Sequence, residues 1–336
     1  MAYPKPLSEK SLERLYSQSG LSQRQIDFLH SFFRACANLY GAIQLRDAWQ
    51  VYTQAAGKAE YPSIHRKDMI AFSGIVRRED LPYCVFEIDE LYEAEKRADL
   101  SREIVSKELI GKGYGKLRFY YELMEEIGQE PYYVPDDILA FADGVPGKAE
   151  AELAAFIGKL KVTAKECHPR YGDPYPCEHR GKTLDSFSFL NKSERFDEEY
   201  YRKKPAAVDQ LREDTAGTEA EKIMRLYRRM ENIGRLRATD NLQYVLEELE
   251  EVGVELKDSQ VNQLVSLMND CHNNSHLWCV SGWCPSDLSK YYYGNNSGPT
   301  AISFGPGMQK AFRDGSLDKE ELVKAIKKMG LDVLDK

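Results

Sequence analysis

The chain has 336 residues, 42% of them hydrophobic and 30% charged, with a formal net charge of -8. That length exceeds what one core usually organises, so two or three domains of roughly 100 to 150 residues are expected of an ordinary globular composition. No apolar run approaches the roughly 20 residues of a bilayer span, the start MAYPKPLSEK lacks the apolar stretch of a signal peptide, and the charge offers no general attraction to nucleic acid; a cytoplasmic protein with no membrane partner is expected.

The first element in chain order begins at Ser22, where Ser-x-x-Gln to Gln25 forms a capping-box pattern. Ile26, Leu29, Phe33, Cys36, Ala37 and Tyr40 then recur at three- and four-residue steps, and Gly41 can end this helix. A second helix is expected from Leu45 to about Tyr52. After a break at Gly57 and Pro62, Ser63 can cap a third, with Ile64, Met69, Phe72, Ile75 and Val76 inward and Arg66, Lys67, Arg77 and Arg78 outward. Tyr83, Cys84, Val85, Phe86 and Ile88 read as a strand, with Ile104 to Ile110 as its partner.

Three helices followed by a strand pair is the order of a winged helix, whose third helix can enter a DNA groove. The expected fold class is therefore mainly α, with an N-terminal winged-helix-like α+β module followed by a C-terminal helical module. Charge cuts both ways. Residues 1–80 carry 11 Lys/Arg against 8 Asp/Glu, whereas residues 81–150 carry 8 against 16, so a polyanion would meet the first segment. The wing, Asp89 to Arg102, is acidic and repels phosphate, which favours a protein-packing module instead. Glu87, Asp89, Glu90 and Glu93 read as a solvated acidic face or, in the sharper reading, as ligands for a divalent ion. The aromatic group Tyr114, Phe119, Tyr120, Tyr121, Tyr132 and Tyr133 suits core and interface packing, with base or sugar stacking as the alternative.

The run DGVPGK from Asp143 marks a boundary, giving three expected parts: residues 1–145, a connecting region 146–217, and residues 218–336. A short helix to about Lys165 leads into a Pro/Gly-rich loop carrying Cys167, His168, Cys177 and His179. Thiolate and imidazole suit zinc, and a loop too polar for its own core gains from a metal cross-link. Adjacent Cys167 and His168 cannot easily reach one tetrahedral ion, so ordinary thiols and imidazoles stand as the other reading. The seven cysteines, odd in number and irregularly spaced, argue against a closed disulfide framework.

From Thr218, Ile223, Leu226, Tyr227, Met230 and Ile233 make one apolar stripe on a basic helix. An acidic helix through Leu242, Val245, Leu246 and Leu249 comes next as its antiparallel neighbour, then one from Asp258 through Val261, Leu264, Val265 and Met268. The segment CHNNSHLWCVSGWCP holds Cys271, His272, His276, Cys279 and Cys284, a knuckle with permuted ligand order. A Cys nucleophile beside His272 or His276 would need an orienting third residue, and none is identified. Asp318 and Glu321 can box the start of a final helix. No phosphate-binding Gly-rich loop is present.

Asn273, Asn274, Trp278, Gly282, Pro285, Asp287 and Leu288, then Ile302, Phe304, Gly305 and Pro306, resemble a pattern in uncharacterised bacterial proteins that often end in an SEC-C zinc-binding tail. Leu39, Tyr40, Gly41, Ile43 and Leu45, with Tyr132, Tyr133 and Pro135, resemble the same group. Its turn usually reads Asn, Asn, Thr, Arg, then Trp, without cysteines at the places of Cys279 and Cys284, and the Cys-rich tail is not in this sequence. The resemblance implies no reaction. It marks Asn273, Asn274, Trp278, Gly282 and Pro285 as a structural or docking turn. The expectation is a binding protein: a nucleic-acid-associated regulator meeting DNA through Arg66, Lys67, Arg77 and Arg78, or else a protein-interaction scaffold. A metal-dependent hydrolase or nuclease using zinc is a third class.

Overall fold

The computed structural model describes residues 3–57, 60–91, 99–110, 115–127, 130–144, 147–168, 173–188, 217–233, 238–293, 301–303, 323–324 and 332–334. The chain is mainly α-helical and divides into two compact units, residues 1–284 and 285–336. The expected final capped helix at Asp318 and the shared positions Phe304 to Pro306 lie outside the described residues, as does half of the expected wing, residues 92–98.

In the first unit, α1 (Glu9–Gln18) precedes α2 (Gln23–Tyr40). The Ser22 amide donates to Gln25 Oε1 at 2.9 Å, and the Gln25 amide donates back to Ser22 Oγ at 3.4 Å. These bonds satisfy two amides that a helix start leaves open. The helix ends at Gly41, whose φ of 70° lies in the left-handed region. There the chain turns directly into β1 (Ala42–Gln44) and α3 (Leu45–Ala55). A strand of three residues leaves no readable alternation, which is why β1 is absent from the sequence expectation.

The next helix, α4 (Arg66–Val76), has His65 rather than Ser63 as its N-cap residue. The Ser63 carbonyl accepts from the Gln25 side chain at 2.9 Å, and it is the His65 amide that donates to Asp68 Oδ2 at 2.8 Å. After β2 (Tyr83–Phe86) and the single turn α5 (Ile88–Leu91), β3 (Glu103–Ser106) returns antiparallel. β3 also pairs antiparallel with β1, so the sheet order is β1-β3-β2. The sequence α2-β1-α3-α4-β2-β3 with this strand order is that of a winged helix.

All four residues of β2 are buried because both faces of the sheet are covered. Tyr83 and Val85 face a core with Phe32, Phe33 and Phe72, while Cys84 and Phe86 face α6 (Gly115–Ile127) through Leu117 and Tyr120. This is strand alternation with two hydrophobic destinations. Each large core side chain contributes about 1.5–3 kcal/mol by leaving water. Helix α1 sits on α4 through Tyr16, whose ring lies 5.9 Å from that of Phe72 and whose hydroxyl donates to Glu79.

A second hydrophobic core joins α7 (Lys148–Lys159), the hairpin of β4 (Glu166–Cys167) and β5 (Tyr175–Pro176), α8 (Glu219–Ile233), α9 (Ala238–Glu251) and α10 (Asp258–Asn274). Ile223 and Tyr227 of the expected stripe are buried in it, together with Val245, Leu249, Leu264 and Met268. In the second unit, α11 (Pro285–Tyr293) is followed by β6 (Ala301–Ser303), which pairs parallel with β7 (Asp332–Leu334).

Candidate functional site

The four cations expected to face outward from the third helix do not form one group. Arg66 and Lys67 are exposed in the first turn of α4, and Arg78 is exposed just beyond its end. Arg77 is not presented to solvent: its side chain retains 11% exposure, with Nη1 2.8 Å from Glu87 and Nη2 2.6 Å from Glu90. Its guanidinium carbon stands 5.8 Å from the centre of the Tyr3 ring. Arg102 completes the network, reaching Glu87 at 2.9 Å, Asp99 at 3.1 Å and the Ser73 hydroxyl at 2.9 Å. Glu87 and Glu90 thus stand as partners of buried guanidiniums rather than as a solvated acidic face.

The Cys/His loop takes a form other than the zinc site expected of it. Cys167 and Cys177 are joined by a disulfide across β4 and β5, so neither sulfur is a thiolate ligand. His168 is exposed, while His179 stacks on Phe187 at 4.2 Å. Among the described residues no group of three or more His, Cys, Asp or Glu converges as metal ligands, which applies equally to Cys271, His272, His276, Cys279 and Cys284. For Cys167 and Cys177 the zinc reading is corrected, since hairpin pairing sets the two sulfurs against each other in a disulfide. The hairpin leans on the loop after α9: Gly253 has φ 80°, and a Cβ there would meet Cys177 Sγ at 2.6 Å. Cys36, Cys84, Cys271, Cys279 and Cys284 are buried thiols, which keeps them from serving as accessible nucleophiles. Thiol titration in denaturant is expected to find five reactive thiols before reduction and seven after; seven without reductant would show that the bridge is not formed.

Up to Cys284, the Trp turn packs within the first unit. Trp278 is 2% exposed and its indole N–H donates to the Asn38 carbonyl at 2.7 Å. The ring lies against Gly41, where a Cβ would meet it at 2.5 Å, and a Cβ at Gly282 would meet the Tyr40 ring at 2.8 Å. Ser281 adopts a left-handed φ of 55°, and its hydroxyl donates to the Glu130 carbonyl at 3.0 Å. Trp283 Nε1 donates to the Pro131 carbonyl at 2.7 Å, and the Tyr133 amide donates to the Ser281 carbonyl at 3.0 Å. The Tyr120 hydroxyl donates to the Tyr40 carbonyl at 2.9 Å. The Tyr120, Tyr132 and Tyr133 part of the aromatic group is thereby engaged in packing. Asn273 and Asn274 are the last residues of α10, and the Asn274 side-chain amide donates to the Asp270 carbonyl of that helix at 2.8 Å. Pro285 opens α11, where its missing N–H costs nothing.

Beside this turn lies a cleft of about 950 Å³. Six parts of the first unit wall it: the end of α2, Ser106 and Glu108 at and just after the end of β3, the short turn Ile138–Phe141, the start of α7, the middle of α8, and the end of α10 with His276 and Trp278. Its basic side chains are Lys148, Arg225 and Arg228. Glu150 forms an ion pair with Arg228, and Glu152 lies 3.9 Å from Lys148. Burial lowers the pKa of the Arg228 guanidinium, with Cys271 and Glu108 acting in the opposite direction. No sequence pattern links these residues, because they come from segments between positions 38 and 278.

The fold and site define a winged-helix-like module joined to a helical half. No family model, no curated protein and no solved structure matches the chain. Among the described residues no helix is long and apolar enough to cross a membrane.

Proposed function

We propose that the chain acts by binding nucleic acid, as an associated or regulatory protein that grips the phosphate backbone with the N-terminal end of α4. The observation that carries this reading is the winged-helix order with Arg66 and Lys67 exposed in the first turn of that helix. Helix amides and the helix dipole add to the attraction for phosphate at such an end. Arg78 supplies a third exposed cation, whereas Arg77 is neutralised by Glu87 and Glu90. Three cations support weak, sequence-independent contact, with a slope of log affinity against log salt no steeper than about -2.7.

Duplex binding followed by fluorescence anisotropy at rising salt tests this. Replacing Arg66 and Lys67 by Ala is expected to make the slope shallower by about 2 while leaving the circular dichroism spectrum unchanged. Binding that persists unchanged after Arg66, Lys67 and Arg78 all become Ala would sink the proposal. A protein partner for the same module is favoured by one observation, the acidic balance of residues 81–150, which carry 8 Lys/Arg against 16 Asp/Glu. Absence of duplex binding at the lowest salt, together with salt-insensitive association with a protein, would decide for that reading.

A further inference from the structure

We propose that the chain pairs with a second copy of itself through α6, two of these helices packing antiparallel about a two-fold axis at Leu123. Among the described residues of the first unit, the exposed large hydrophobic side chains are Phe119, at 38%, and Ile127, at 45%, and both belong to α6. Leu123, half-buried, stands midway between them. Steps of four residues set the three along one ridge of the helix, about 12 Å long at 1.5 Å per residue. This ridge is not the stripe on which α6 docks in its own chain. Leu117, Tyr120 and Met124 are buried in the core that includes Val105 and Trp278, and at 3.6 residues per turn they lie roughly a quarter turn round the helix from the ridge. A surface helix needs one apolar stripe for its own core. The second stripe is therefore surface for a partner.

The order of residues along the ridge is self-complementary. With two helices antiparallel about Leu123, Phe119 of each copy meets Ile127 of the other and Leu123 meets its own equivalent, the isologous contact that a two-fold axis requires. Charge selects the same direction. The first turn of α6 carries Lys116 and Arg118, and the later turns carry Glu122, Glu125 and Glu126. Antiparallel pairing brings a basic end to an acidic end at both limits of the contact, whereas parallel pairing sets like charges together. Arg118 reaches Glu122 of its own helix at 2.8 Å, but the two side chains are 83% and 54% exposed, and a pair so open to water holds its members weakly. A helix of 13 residues is about 20 Å long. One such helix pair buries less than the roughly 1,200 Å² of a stable complex, so the dimer is a weak one, with a dissociation constant of about 10–100 µM.

Sedimentation equilibrium of the full chain between about 1 and 300 µM tests the proposal, and the average mass is expected to rise from that of one chain toward that of two. Phe119→Lys is expected to weaken the dimer at least about tenfold with an unchanged circular dichroism spectrum, because the position is exposed. Ile127→Lys, at the other end of the ridge, is the second variant and should act in the same direction. Phe119→Lys combined with Ile127→Glu in one chain tests the antiparallel register. That register sets the new opposite charges against each other, so the double variant should dimerise at least about threefold more tightly than Phe119→Lys alone. A monomer at about 300 µM would leave the ridge to a different occupant and overturn the proposal. A dimer that neither single variant weakens, or a double variant no tighter than Phe119→Lys, would overturn it as well.

Discussion

Replacing Trp278 by Ala is expected to lower unfolding stability by about 3–5 kcal/mol, the range for emptying a buried aromatic site. The indole fills the space between α6 and the end of α2, packs on the outer face of the sheet with Ala42 and Val105, and donates its N–H to the Asn38 carbonyl. Removing it opens a cavity and leaves that carbonyl without its 2.7 Å donor. Gly41 sharpens the test. Its left-handed φ alone makes Gly41→Ala unfavourable by about 1 kcal/mol, and the new Cβ would stand 2.5 Å from the Trp278 ring. In the Trp278→Ala background the clash disappears and only the backbone cost stays. The double variant should therefore be less destabilised than the sum of the two singles, by more than about 1 kcal/mol. Urea unfolding of the four proteins measures this, and additivity within about 0.5 kcal/mol would show that the two residues do not share one site.

Arg77→Met is expected to cost about 3 kcal/mol, the lower end of the range for removing one partner of a buried ion pair. Glu87 keeps Arg102 at 2.9 Å, but Glu90, whose side chain is 8% exposed, loses the guanidinium that neutralises it. A Glu90→Gln change made together with Arg77→Met should restore part of the stability, because an amide tolerates that position without a counter-charge. If Arg77 were instead a phosphate contact, Arg77→Met would leave unfolding unchanged and weaken duplex binding. Chemical denaturation and anisotropy on the same variant therefore separate structural from binding roles.

Short-range features were legible from the sequence alone. The Ser22 to Gln25 capping box, the stop at Gly41 and the apolar stripes of α2 and α8 depend on residues within one or two helical turns, and local stereochemistry decides them. The run Tyr83 to Phe86 announced a strand by β-favouring side chains, and helices followed by a strand pair announced the class of the first module. Three-residue β1 escaped because its pairing with Ala42 opposite Val105 joins segments about sixty residues apart.

The fates of charged and sulfur-bearing side chains were decided only by the tertiary structure. Arg77 reads as an outward cation until Glu87 and Glu90 arrive from the segment after β2, and Cys167 reads as a metal ligand until the hairpin sets Cys177 against it. The same holds for the cleft beside Trp278, whose walls meet only because α7 packs on α10. The sequence determined mainly helical secondary structure, the order of a winged helix and the Trp-bearing turn, since propensity and periodicity act over neighbouring residues. Folding decided which charges meet, which sulfurs bond and where the cleft opens, because Coulombic and covalent partners are chosen by distance in space, and sequence spacing does not encode that distance.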